Sequence, residues 1–343
     1  MFNRRIKSWR QQVKTPAALL PESATLTQRL TAALKDKTRF PAPLAVINRR
    51  LPQMMSTFPN EAITCRFANG RRHRLFVKYE ADRNHDSFGH RGGVRYEARV
   101  YAELLQDYPG FRPRFLGAHT DSQTEESWLV LEYLDRCVRV IDISVKDPCH
   151  EPVAMLESAR WIARFHAAHE PLSLNGVLSF LKRYDEKYYR SWSIRTAKLT
   201  CSLQKLHPWL PELCKKDDWI RLLLDATSTV IHGEFYGKTL LFRNDTVFPI
   251  DWESAALAPG EIDLAALTEG HRWPDEVVQR CLREYQQTRW PNGTPAAFNP
   301  TLDAARLYLH FRWLGEREDW TLGPKAFWRY EHMRAAAQRL GLL

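Results

Sequence analysis

The stretch "VIHGEFYGKTLLFRNDTVFPIDWE", from Val230 to Glu253, holds the residues best suited to chemistry. His232, Glu234 and Thr239 fall on a loop between apolar runs, and Asp251 ends a strand that follows a tight turn at Asn244-Asp245. That layout brings Glu234 and Asp251 close in space although they are 17 positions apart. Two converging carboxylates can serve a hard cation such as Mg²⁺ and orient a hydroxyl for proton transfer. A hairpin with polar ends on a solvated surface fits the same spacing. Upstream, Lys78 closes the apolar strand "LFVK", a costly place for an ammonium without a partner, and Glu97 on the next helical stretch is the candidate partner.

The elements that must position these groups follow from pattern. "MMSTF", "AITCRF" and "HRLFVKY" read as short strands, with Asn69-Gly70 as a hairpin signal between the last two. "EADRNHDSFGHRGG" (residues 80–93) reads as a loop and "VRYEARVYAELL" as a helix. "WLVLEYL" (128–134) is a short apolar run bounded by polar residues, which predicts a buried strand. In "AMLESARWIARFHAAH" (154–169), Met155, Ala159, Ile162, Ala163 and His166 share one helical face. Residues 181–224 read as mainly helical, 229–252 as strands, and 263–343 as helices broken by prolines. The order predicts an α+β fold of two lobes: a basic extension (1–40), a small antiparallel β-rich lobe (41–130), and a larger, mainly helical lobe (131–343).

Composition narrows the classes. With 343 residues, 44% hydrophobic and 12% aromatic, the chain is a folded protein rather than a disordered one. No run approaches the roughly 20 apolar residues of a membrane span, and no apolar signal core opens the sequence, so the cytoplasm is the expected compartment. The six cysteines lack CxxC or zinc spacing and read as reduced thiols. The formal charge of +10 is concentrated in front: residues 1–80 carry 16 Lys plus Arg against 4 Asp plus Glu. Without a zinc-finger or RNP-like readout motif, that surplus suits steering of phosphates, and no specific nucleic acid is expected as a partner.

Taken together, "HGEFYGKT", "IDWE" and "DLAAL", with "WLVLEYL" before them and "RWIARFHAAH" between, resemble the aminoglycoside phosphotransferase and choline kinase branch of the protein-kinase-like superfamily. The resemblance runs from about Ala62 to Leu267. It implies a two-lobed protein-kinase-like fold and ATP- and Mg²⁺-dependent transfer of a phosphoryl group to a hydroxyl of a small molecule. Carried over by position, Lys78 contacts the ATP phosphates and is oriented by Glu97. Glu132 and Leu134 lie in the hinge strand and its exit, on the nucleotide. Asp251 binds Mg²⁺, Glu234 stands for the Asp that receives the acceptor's proton, and Thr239 stands for a metal-binding Asn. His232 braces the loop and Asp263 receives hydrogen bonds from it.

Three departures qualify the resemblance. Glu for Asp adds a methylene, about 1.5 Å of reach, and misplacement by about 1 Å can cost roughly a hundredfold in rate. Thr for Asn keeps a neutral oxygen on a shorter stem. The turn expected over the phosphates, "STFPNEA" with Ser56, Thr57 and Asn60, has no glycine. A catalytically weak or inactive kinase-like protein that binds nucleotide or a partner is therefore the alternative. The near-neutral helical lobe does not favour choline or an aminoglycoside, both cationic, and points to a hydroxylated metabolite or natural-product intermediate. The loop "HDSFGHRGG" places His85, His90 and Arg91 beside two glycines, either as a flap for an anionic group or as a solvated connection. The many Trp and Tyr residues of the helical lobe read mainly as core.

Overall fold

In the computed structural model, residues 20–34, 44–51, 58–80, 88–143, 152–174, 176, 178–270 and 273–343 are described. The chain forms two compact units, Met1–Asp86 with Gly92–Asp135, and Ser87–Arg91 with Arg136–Leu343.

The first unit contains helix α1 (Ser23–Leu34), strands β1 (Leu44–Arg50), β2 (Asn60–Phe67) and β3 (Arg72–Tyr79), helix α2 (Gly93–Val100), which runs on as one π turn to Leu105, and strands β4 (Phe115–Thr120) and β5 (Ser127–Glu132). The strands make one antiparallel sheet in the order β1-β2-β3-β5-β4. The two-residue period of β3 decides what each face does. Leu75, Val77 and Tyr79 point to one face and pack with Ile63, Cys65, Phe67, Trp128 and Val130. Lys78 therefore points to the other face.

The first face is closed by α1, whose Leu26, Leu30 and Leu34 recur every four residues and are fully or almost fully buried. Part of the segment read as a basic extension thus supplies one wall of this core. The helix lies so close to β4 that a Cβ on Gly117 would sit 2.0 Å from the Ala33 carbonyl oxygen. The strand expected at "MMSTF" falls almost wholly outside the described residues, whereas β2, β3 and β5 lie where the pattern put them.

The second unit is mainly helical. It contains β6 (Val138–Arg139), α3 (Val153–Leu174), β7 (Lys182–Arg183), α4 (Glu186–Leu199), α5 (Leu210–Leu213), α6 (Asp218–Asp225), β8 (Ser228–Ile231), β9 (Leu240–Arg243), β10 (Thr246–Pro249), β11 (Ala256–Pro259), α7 (Glu261–Thr268), α8 (Asp275–Arg289), α9 (Phe298–Glu316), α10 (Glu318–Thr321) and α11 (Phe327–Arg339). Two small sheets, β10-β9-β6 and β7-β11-β8, frame the loop that carries Glu234. Asn244 and Asp245 take φ of 48° and 54°, the left-handed pair that closes a two-residue hairpin between β9 and β10.

Helix α9 is buried nearly all round, as its apolar residues on every side require, and packs against α4, α6, α7 and α11. Glu269, just past α7, clasps α9 through His310 Nε2 at 3.0 Å and α11 through His332 Nδ1 at 2.6 Å. Among the described residues the five cysteines are unbridged, and no helix is long and apolar enough to cross a membrane.

Because α1 completes the first core, Leu30→Ala should cost about 2–4 kcal/mol through lost burial and a residual cavity. Ile194→Ala, on an exposed face of α4, should stay within about 0.5 kcal/mol. Urea denaturation followed by circular dichroism distinguishes them by the shift in midpoint.

Candidate functional site

In the first unit, Lys78 sits mid-sheet, paired across to Asn60 on β2 and Leu129 on β5. Its ammonium donates to Glu97 Oε2 at 2.6 Å, with only 3% and 2% of the two side chains exposed. A buried lysine without counter-charge would lose its proton. A carboxylate reaching in from α2 is what keeps a charge in this position. Glu132 ends β5 and pairs with Arg112, and its carboxylate also receives the Arg114 backbone N–H at 3.2 Å. Leu134, two residues on, is half-buried. Asn60 is turned inward, its amide donating to the Phe58 carbonyl at 3.1 Å, while Ser56, Thr57 and His85 lie outside the described residues.

In the second unit, the loop after β8 is held by its backbone. Asp263, at the start of α7 and fully buried, accepts the N–H groups of His232 at 2.6 Å and Gly233 at 2.9 Å. His166 of α3 approaches the same carboxylate through Nε2 at 3.2 Å and meets the Tyr285 hydroxyl through Nδ1 at 2.9 Å. Gly233 has φ of 80°, and a Cβ there would lie 2.2 Å from the Ser254 carbonyl oxygen, so only glycine fits.

His232 accepts the Glu234 N–H on Nδ1 at 3.2 Å and donates from Nε2 to the Ile250 carbonyl at 3.0 Å, a pattern that suits a neutral ring. Ile250 returns its N–H to the Thr239 carbonyl at 2.9 Å. Both ends of the loop are thereby tied to the residue before Asp251. Asp251 itself takes φ of 71°, a left-handed conformation that a non-glycine residue holds only under constraint. The Thr239 hydroxyl lies 2.7 Å from the Glu234 carbonyl and 2.9 Å from that of Tyr236, closing the loop upon itself.

The Glu234 carboxylate is 2% exposed and is met by arginines. Arg91 donates Nη2 to Oε1 at 2.8 Å. Arg312 of α9 brings Nη1 to 3.6 Å, and His90 Nε2 lies 3.8 Å away. Burial pushes the Glu234 pKa up, but the charges of Arg91, Lys238 and Arg312 outweigh it and hold the group well below the ordinary carboxylate range. Arg91 also reaches Glu253 at 3.1 Å and Glu316 at 3.4 Å. The Tyr236 hydroxyl accepts from Arg312 at 2.6 Å and from Trp313 at 2.9 Å. Sequence pattern offered little sign of this network. Only Arg312 and Glu316, spaced i and i+4, carried a local signal.

The histidines that brace the loop set a pH dependence. Burial lowers the pKa of both His166 and His232. The unfolded chain takes up these protons near pH 6.5 and the native chain does not, so their contribution to stability is present at higher pH and lost as pH falls through that range. Asp263 acts in the opposite sense. Burial pushes it up to about 6, so its contribution is present below the unfolded carboxyl pKa and lost as pH rises through about 6. Between pH 7.5 and 6.5 the histidines dominate. Thermal unfolding should therefore move to lower temperature on going from 7.5 to 6.5, and His232→Asn should reduce that loss of stability by about 0.4 kcal/mol.

No protein-family model matches the sequence, and no curated protein matches it. Solved structures do. The streptomycin–ATP–APH(2″)-IIa ternary complex aligns over 93% of this chain and 97% of its own, with 12% identity and a TM-score of 0.56. Choline kinase from Cryptosporidium parvum aligns over 94% and 98%, with 13% identity and a TM-score of 0.54. Macrolide 2′-phosphotransferase MphH from Brachybacterium faecium aligns over 93% and 97%, with 17% identity and a TM-score of 0.51. An antiparallel five-stranded sheet with a mainly helical second unit, matched at this coverage, gives the chain the α+β protein-kinase-like fold of the aminoglycoside phosphotransferases and choline kinases.

Proposed function

We propose that this protein is an ATP-dependent phosphotransferase that moves the γ-phosphoryl group to a hydroxyl of a small molecule. The observation that carries the reading is the buried Lys78–Glu97 pair. Moving an ammonium and a carboxylate out of water costs several kcal/mol per ion, and nothing in the packing of the sheet requires the pair. A nucleotide's phosphates give it a use. Lys78, aimed by Glu97, would hold the α- and β-phosphates. Glu132 and Leu134 would border the base.

The donor set of the second unit suits Mg²⁺, which prefers hard oxygen ligands. Asp251 offers a carboxylate from a constrained backbone, and Thr239 offers the lone pairs of a hydroxyl that turns its proton to the loop carbonyls. Bound there, Mg²⁺ would offset the charge of the nucleotide's phosphates. The rest falls to the chain. His232 and Asp263 keep the loop in shape, and Glu234 points its carboxylate at the acceptor hydroxyl. With its basicity reduced by Arg91 and Arg312, Glu234 orients that hydroxyl and takes its proton late, which a loose phosphoryl-transfer transition state permits.

The same arginine contacts favour a second reading, a kinase-like protein that binds nucleotide without transferring phosphate. Calorimetric titration with ATP, with and without Mg²⁺, combined with phosphate release, separates the two. The expected result is Mg²⁺-assisted ATP binding with slow turnover. Lys78→Met should weaken binding at least about tenfold, equivalent to about 1.4 kcal/mol, and Asp251→Asn should abolish the Mg²⁺ effect. Binding without turnover across an acceptor screen supports the second reading, and no nucleotide binding at all overturns both.

A further inference from the structure

Residues Phe88–Arg91 stand out in the chain's organisation. The segment belongs to the second unit, although the chain resumes the first unit at Gly92. Each of its four residues is fastened there. The Phe88 ring packs edge-on against Trp192 at 5.5 Å with the Arg195 guanidinium 3.8 Å from its centroid, yet it remains 39% exposed. The Gly89 and His90 carbonyls accept from Lys182 Nζ at 2.6 and 3.4 Å. His90 is fully buried against the hydroxyls of Tyr188 at 2.9 Å and Tyr184 at 3.3 Å. Arg91, its side chain 7% exposed, lies among Glu234, Glu253 and Glu316.

We propose that Phe88–Arg91 is a tethered occupant of the acceptor site, a stretch of the chain that fills the ground beside Glu234 and must withdraw before an acceptor can enter. That an acceptor is what enters rests on the phosphotransferase reading, whereas the contacts of Arg91 with the three carboxylates do not. Any hydroxyl oriented by Glu234 has to lie against its carboxylate. Arg91 holds that carboxylate now. Three carboxylates face one guanidinium from the segment and one, Arg312, from α9. Withdrawal of Arg91 removes the guanidinium that lies 2.8, 3.1 and 3.4 Å from Glu234, Glu253 and Glu316, a position that suits another planar cation. The ligand class that competes best is a guanidinium- or amine-bearing molecule.

A self-competing segment makes a quantitative prediction. If the withdrawn state is populated at about 1–10%, an outside ligand binds the intact protein about 10–100-fold more weakly than it binds a variant lacking the occupant. The test uses the full chain without nucleotide and ethylguanidinium chloride as the probe, read by thermal shift against sodium chloride at equal ionic strength. Arg91→Ala should bind the probe at least about tenfold more tightly than the unsubstituted protein, and Arg91→Ala combined with Glu316→Gln should lose most of that gain. Lys182→Ala removes the clamp on Gly89 and His90 while leaving Arg91 in place, so it should show a smaller gain in the same direction even if Arg91→Ala folds poorly. Equal responses from the unsubstituted protein and the variants, or none beyond the salt control, overturn the proposal. Because no nucleotide is present, a positive result alongside absent ATP binding would keep the pocket and reject the phosphotransferase reading. ATP turnover with no effect of Arg91→Ala or Lys182→Ala on probe binding would do the reverse.

Discussion

A carboxylate with 2% of its surface exposed stays ionised only among positive charges, and Glu234 is such a group. Much of the second unit's arrangement follows from that requirement. Helix α9, buried nearly all round, has to carry a fully buried Arg312, and that guanidinium needs Glu316 one turn on and the Tyr236 hydroxyl. Arg91 must come from a segment outside the helical body, which is why Lys182, Tyr188 and Trp192 are arranged to receive Phe88–Arg91. A buried ion-pair network of this kind is weak evidence of stability, since well-packed apolar residues often do as well. Removing one partner is costly all the same, at about 3–5 kcal/mol. Its effect is to select one geometry and penalise the others.

The loop that presents Glu234 is fixed independently, by backbone contacts rather than by charge. Asp263 receives two N–H groups, His232 bridges to Ile250, and Ile250 bridges back to Thr239. Position and protonation state therefore have separate causes. Asp263 and Gly233 determine where the loop runs, and Arg91 with Arg312 determines what charge Glu234 carries. The left-handed backbone at Asp251 belongs with the first group, because it is the next residue after the Ile250 anchor.

This separation explains what was legible in the sequence. The strands around Lys78, the helix bearing Glu97, the hinge strand, the helix that carries His166 and the Asn244-Asp245 turn all rest on local periodicity or turn chemistry, and all could be read. Helix α1 is hard to tell from an extension because basic neighbours mask its leucine spacing. β11 escaped notice because "ALAP" is short and alanine-rich and ends in proline. The partners of Glu234 were out of reach for another reason. Arg91 is 143 residues away in sequence, and no propensity or period connects a loop arginine to a loop glutamate at that distance. "HDSFGHRGG" reads more readily as a solvated link than as a flap, yet its last cation is buried.

The Glu and Thr departures, weak arguments against catalysis when taken singly, act together in the structure. The Thr239 hydroxyl ties the Glu234 carbonyl into the loop, while the longer Glu234 side chain extends its carboxylate into the arginines. Both sets of contacts lie within the chain. A loop built this way holds its shape before any ligand arrives, so little ordering entropy is left for binding to supply. The corresponding cost is that Glu234's strongest partner must be displaced by whatever comes to use it. If Phe88–Arg91 withdraws as proposed, the exchange of Arg91 for an outside cation governs access to Glu234.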